Sequence, residues 1–151
     1  MIDFMDTLLG EKLRKIALLS DAMAWYDSFT PAFKKDILSW IQDDQLRKRG
    51  VDEDEEIIGE YSLYTEILSG GRKKFGEHYT LEDTGEFFKS MYIVVLSDSI
   101  VIEADPIKGD DNLFYKYGDG IIGLTEENLE FFKLELADKY REFARKTLQI
   151  D

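Results

Sequence analysis

Apolar residues recur at helical spacing through the first third of the chain. Leu8, Leu9, Leu13, Ile16, Leu19 and Met23 follow a period of about 3.6 residues from about Phe4 to Trp25, which predicts an amphipathic helix whose start Gly10 weakens. A second helix is better marked. Thr30 is a suitable N-cap, and Pro31 stands at the first helical position, where a missing N–H is harmless. Phe33, Ile37, Leu38 and Ile41 form one stripe, and Gly50 is the expected terminator.

The periodicity then fades, and residues 51–82 read as an irregular loop region. Asp52-Glu53-Asp54-Glu55-Glu56 is a run of five carboxylates, with acids at alternate positions as in a calcium loop. An EF-hand needs glycine at its sixth position and glutamate at its twelfth, where this chain has Ile57 and Leu63. A solvated acidic loop is the better reading. Gly70-Gly71-Arg72-Lys73-Lys74-Phe75-Gly76 spaces Gly71 and Gly76 like a phosphate-binding loop, but Glu77-His78 replaces the required Lys and Ser or Thr. Two readings remain for it, a glycine-flanked loop or a cationic contact for an acidic neighbour through Arg72, Lys73 and Lys74. His78 is the sole histidine and has no companion ligand, so a hydrogen-bonded loop residue is expected in place of a metal site.

Strand signals follow. Met91–Leu96 and Ile100–Glu103 are rich in β-branched residues and flank the short polar turn Ser97-Asp98-Ser99. Tyr92, Val94 and Leu96 point one way, while Met91, Ile93 and Val95 point the other. Both faces are apolar, so the hairpin should be covered twice, by a helix of its own chain and by a second layer or a neighbouring subunit. After Asp105-Pro106, residues 109–123 are rich in turns and carry no obvious helix, with Asp119-Gly120 a tight-turn pair between Leu113-Phe114-Tyr115 and Ile121-Ile122. Such a stretch is a candidate docking loop. Thr125 then caps a last helix, Glu126 and Glu127 suit its positive end, and Leu129, Phe132, Leu136, Tyr140 and Phe143 form its seam. Phe131 and Leu134 lie off that seam and widen its apolar surface. The chain thus reads as a single domain over 1–151: a helical part over 1–50, the loop region over 51–82, and the hairpin plus final helix over 83–151.

Composition narrows what this domain can do. Hydrophobic residues make up 44% and aromatics 13% of the 151 positions, ample for a packed core. The absence of cysteine excludes disulfides, thiol catalysis and zinc–thiolate sites. The acidic start Met1-Ile2-Asp3-Phe4-Met5-Asp6 is unlike a secretory signal, and no apolar run approaches the roughly 20 residues of a membrane span, so no membrane association is expected. Nineteen Lys and Arg against 32 Asp and Glu give a net charge of −13, which repels nucleic acid and argues against sequence-specific binding to it. An acidic lining would nevertheless suit a channel through which DNA must slide without sticking.

Taken together, Thr84-Gly85, Phe87 or Phe88, and Ser90 ahead of a β-hairpin, then Gly123-Leu124-Thr125-Glu126-Glu127 opening an amphipathic helix, resemble the tail-completion and virion-morphogenesis (head–tail connector) proteins of tailed bacteriophages. The likeness covers roughly Tyr79 to Leu148. This chain departs from it at Glu86, where the family usually carries a basic residue, and at Gly120-Ile121-Ile122, where the family has Arg-Pro-Phe. The resemblance implies an α+β fold, with helices packed on a small antiparallel sheet, a central β-hairpin and a long C-terminal amphipathic helix. It also implies a structural virion protein assembled in the host cytoplasm as a homo-oligomeric ring beside connector, portal-side or tail-tube proteins. Neither enzymatic activity nor a cofactor is expected. Candidate partner contacts are Arg72, Lys73, Lys74, Ser97, Asp98 and Asp119, and the motif residues are Thr84, Gly85, Ser90, Gly123, Leu124 and Thr125. Two rival readings stand beside this one. A carboxylate-based hydrolase needs only two well-placed acids, which 32 acidic residues can always seem to supply. An acidic binding module, an inhibitor or DNA mimic, would take a basic partner.

Overall fold

A computed structural model describes residues 22–148. The helix expected over Phe4–Trp25 lies outside these residues except for its end, where α1 spans Ala22–Ser28. Helix α2 spans Pro31–Ser39 and starts as the sequence predicts: Thr30 is extended, and its hydroxyl accepts the Phe33 N–H at 3.2 Å. Phe33 and Ile37 are wholly buried. The chain then continues as a π-helix over Trp40–Arg49, in which Ile41, Gln45 and Leu46 turn inward. Spacings of four and five suit its wider turn, where the amide of one residue bonds to the carbonyl five before it. Gly50 ends it in the left-handed conformation at φ 65°, donating to Gln45 O as the cap.

The region expected to be irregular, 51–82, contains a helix. α3 spans Leu63–Leu68, and the Ser62 hydroxyl accepts the Thr65 N–H at 3.2 Å as its N-cap. Six residues are too few to show a period, so a strong cap is the signal that sequence carries here. Helix α4, Glu86–Ser90, begins after Gly85 and leads into the hairpin of β1 (Tyr92–Val95) and β2 (Ile100–Glu103). These strands are antiparallel, with Ile93 opposite Ile102 and Val94 opposite Val101.

Residues 109–123 also carry more structure than their turns suggest. β3 (Ile107–Lys108) and β4 (Asp111–Asn112) form a second, minimal hairpin. Helix α5 spans Leu113–Tyr117, capped by Asn112, whose Oδ1 accepts the Tyr115 N–H at 3.0 Å. Asp119-Gly120 is no hairpin turn between strands but the start of a 3₁₀ turn, Asp119–Ile122. The side chain of Asn112 supplies the helix start, and the buried Leu113, Ile121 and Ile122 draw these short elements onto the core. Helix α6, Glu126–Leu148, closes the chain. The result is an α+β fold, its helices packed on a small antiparallel sheet.

Two buried clusters join into one core. In one, the rings of Phe29, Phe33 and Phe132 stack with centroids 5.5–6.2 Å apart and meet the inner face of β1 at Ile93. The other gathers Ile41, Leu46, Phe87, Phe88, Met91 and Ile121. Leu38, Ile102 and Leu124 pack against both.

Candidate functional site

A polar latch built on the buried Gln45, Thr125 and Asn128 holds α6 against the π-helix. Gln45 donates from Nε2 to Gly123 O at 2.8 Å, and its Oε1 accepts the Thr125 N–H at 3.0 Å and Asn128 Nδ2–H at 2.9 Å. Thr125 in turn accepts the Asn128 N–H through its hydroxyl at 3.3 Å, the N-cap expected of it. Buried polar groups of this kind stabilise only when satisfied, and each group here has a partner. The latch fixes Gly123 and with it the 3₁₀ turn beside β2.

Between that turn and β2 lies a groove. Two hollows of about 520 and 300 Å³ run along the strand and share Ile102, Asp119 and Ile122. Phe114 and Ala104 add apolar wall at one end, Ile100 and Val101 at the other. The rim is acidic, formed by Glu53, Glu103, Asp105 and Asp119. The loop that carries Glu53 is bound to the groove, its amide donating to Gly120 O at 3.0 Å. Partial burial, and then Asp54, Asp119 and Asp52, push the Glu53 carboxyl above the usual range. These carboxylates reinforce one another's negative potential.

The hairpin has a covered face and an open one. Ile93 is buried, and Val95, Ile100 and Ile102 pack on the core. Tyr92, Leu96 and Val101 are exposed, and Val94 is half-buried. Of the two coverings expected for this hairpin, the described residues supply one. Among the described residues β2 also has an edge without a ladder partner, the kind of edge that recruits another chain.

Residues 61–76 form a separate arm. Its ends meet where Tyr61 N–H donates to Glu77 O at 2.8 Å and Gly76 N–H donates to Tyr61 O at 3.0 Å. Inside it, Phe75 N–H reaches Glu66 Oε2 at 2.8 Å, Lys73 N–H reaches Ser69 Oγ at 3.0 Å, and Gly71 N–H reaches Glu66 O at 2.9 Å. Gly70 and Gly71 are both left-handed, as that turn requires. The arm is therefore an ordered Ω-loop, yet Leu63, Tyr64, Ile67, Leu68 and Phe75 are all exposed. Tyr61 anchors it edge-on to Tyr79, with ring centroids 4.9 Å apart.

The sequence-predicted site residues divide between these surfaces. Arg72, Lys73 and Lys74 lie on the arm: Lys73 pairs with Asp83 at 3.4 Å, while Arg72 and Lys74 have no carboxylate within ion-pairing distance among the described residues. Asp119 lies on the groove. Ser97 and Asp98 sit exposed at the hairpin tip and line neither hollow. The motif residues are largely architectural. The Thr84 hydroxyl accepts the Glu86 N–H at 3.4 Å, and Gly85 takes the left-handed conformation at φ 80°. Ser90 donates to Phe87 O at 2.7 Å and accepts the Asp105 N–H at 3.0 Å, tying α4 to the end of β2. Gly123 and Thr125 belong to the latch, and Leu124 packs on both core clusters. His78 is the hydrogen-bonded loop residue expected, 2.9 Å from Arg47 O.

Sequence reasoning missed the latch and the exposed side of the arm. Gln45 lies in a polar run, Gln42-Asp43-Asp44-Gln45, and nothing there marks it as interior. The arm did leave a signal, since Leu63-Tyr64 and Ile67-Leu68 are four apart behind a Ser62 cap. The chain matches no protein-family model, no curated protein and no solved structure.

Proposed function

We propose that this protein is a structural subunit of an oligomeric assembly, a head–tail connector or tail-completion ring of a tailed bacteriophage. One observation carries the oligomeric part: among the described residues, the hairpin keeps an exposed apolar outer face and an unpaired β2 edge. Strand edges of this kind are normally blunted or covered, and a neighbouring subunit is the cover that an assembly module provides. The virion assignment rests on the ordered motifs Thr84-Gly85…Ser90 and Gly123-Leu124-Thr125. Their roles as a left-handed turn, an α4–β2 tie and a capped helix start are compatible with it. An acidic surface on the DNA path of such a ring would let the duplex slide.

Mass photometry and light scattering test this across a concentration series, on the purified chain alone and mixed with connector and tail-tube proteins of the same virion. Discrete rings, or monomers that become rings with such a partner, are the expected result. A chain that stays monomeric under both conditions overturns the proposal and favours an acidic module that binds one basic partner.

A further inference from the structure

We infer that this chain binds a second copy of itself head to tail, with the 61–76 arm of one copy seated in the groove along β2 of the next. The inference rests on the oligomeric reading above and names its contact. Three observations on the two surfaces carry it.

The arm is built to be covered. Tyr64, Ile67, Leu68 and Phe75 are 66–70% exposed, although the backbone beneath them is tied by internal hydrogen bonds. Apolar side chains on a preorganised loop dock with little ordering cost. No residue of the arm lines the groove of its own chain, so an arm seated in such a groove belongs to another copy.

The charges are opposite. Residues 61–76 hold Arg72, Lys73 and Lys74 against Glu66 alone, three minus one or +2, within a chain of −13. Glu66 is occupied by the Phe75 amide, whereas Arg72 and Lys74 are free of carboxylates among the described residues. The groove presents the converse, an apolar floor of Ile102 and Ile122 under the carboxylates of Glu53, Glu103, Asp105 and Asp119.

The same charges exclude two ways of packing. Two grooves packed face to face would bring acidic rims together, and two arms packed together would oppose cations. Arm on groove relieves both. Set head to tail, such a contact is heterologous and repeats from copy to copy, closing a ring if the rotation allows and otherwise extending a filament. A wild-type chain that stops at a two-fold dimer exchanges arms reciprocally and overturns the head-to-tail arrangement.

Sedimentation velocity on the full chain tests this with paired variants at exposed positions. The arm variant carries Tyr64→Ser and Ile67→Ser, and a second arm variant carries Arg72→Glu and Lys74→Glu. The groove variant carries Glu103→Lys and Asp119→Lys. Each variant alone should lose self-association by at least about 30-fold, the loss expected of a central anchor. An equimolar mixture of the Tyr64→Ser, Ile67→Ser variant and the groove variant should form one-to-one dimers and nothing larger, because one intact arm–groove pair remains between them. Mixing the charge-reversed arm with the groove variant should instead restore larger assemblies, because its acidic arm meets a basic groove. Assemblies that persist in all variants overturn the inference and leave the oligomeric reading standing. A mixture that stays monomeric overturns it as well. A wild-type chain that is monomeric alone also overturns it, and the co-assembly measurement then decides the connector reading separately.

Discussion

Gln45 and Thr125, eighty positions apart, are joined in the wholly buried interior, where Gln45 Oε1 accepts the Thr125 backbone N–H at 3.0 Å. The first amides of a helix have no intrahelical acceptor, so α6 begins by borrowing one from the π-helix. The Gln45 Nε2–H meanwhile satisfies Gly123 O at 2.8 Å. One carboxamide thus fixes the junction from which the groove wall and the last helix both depart.

Replacing Gln45 with Leu should therefore cost far more than its change in polarity suggests. The Thr125 amide, Gly123 carbonyl and Asn128 carboxamide would all lose a partner, the first and last of them in a buried site. Each buried unsatisfied group costs about 1–3 kcal/mol, partly recovered by relaxation, so a loss of about 2–4 kcal/mol is expected. Urea denaturation measures it, and a change below about 1 kcal/mol would show that the latch is dispensable.

His78 is expected to carry its proton on Nε2. Its partner 2.9 Å away is Arg47 O, which can only accept. That carbonyl lies in the last turn of the π-helix, where acceptors lack intrahelical donors, so the imidazole acts as a C-terminal cap. The ring also lies over Gly50, where an added Cβ would collide with its carbons, and Gly50 sits at φ 65°. Nitrogen chemical shifts of the imidazole should report a proton on Nε2. Gly50→Ala should destabilise by about 1–3 kcal/mol through the clash and the left-handed backbone together.

Much of the frame was legible before the structure. Thr30, Pro31 and Gly50 bracket a helix through local chemistry, and the β-branched run of the hairpin and the cap at Thr125 do the same. Local signals survive folding when neighbours within a few residues decide them. The latch was illegible because its burial depends on partners about eighty residues away, and a glutamine among aspartates looks solvated. The π-helix was illegible for a related reason: its i→i−5 bonds leave the same residue types in place and alter only which of them turn inward. Asp119-Gly120 misled for the opposite cause, since a pair common in tight turns was drawn into a 3₁₀ turn by the burial of Ile121 and Ile122. Of the candidate contacts, Arg72 and Lys74 are exposed and Asp119 lines the groove, whereas Ser97 and Asp98 line neither hollow.

Two carboxylates should respond to acid in opposite directions. Lys108, and then Lys73, hold Asp83 below the usual carboxylate range. A depressed folded value contributes stability that is present above the unfolded value near 3.8 and lost as pH falls through the lower folded one. Glu53 is raised by partial burial and by its acidic neighbours, so it opposes folding above its raised value, and that penalty is relieved as pH falls toward the unfolded value near 4.5. Both side chains are exposed, and the effects on stability are small. Carbon chemical shifts should show Glu53 titrating at a higher pH than Asp83. In Lys73→Gln with Lys108→Gln, Asp83 should move up toward its ordinary value while Glu53 stays in place. A single midpoint for both carboxylates would contradict the charge arrangement described.

The arm should be removable without unfolding the rest. Tyr61 and Glu77 already meet through a 2.8 Å backbone hydrogen bond, so a short Gly-Ser link can replace residues 62–75 with little change in path. None of the α3 side chains is buried, and the ties that would be lost are exposed ones such as Lys73 to Asp83. Surface changes of this kind usually alter stability by less than about 0.5 kcal/mol, and shortening a closed loop slightly favours the folded state. The deletion variant should thus melt within a few degrees of the full chain, while Phe33→Ala in the aromatic stack should cost about 3–5 kcal/mol. If the deletion costs as much as the core substitution, the arm is a structural prop and its exposed side chains serve folding; if it melts normally, they are held out for a partner.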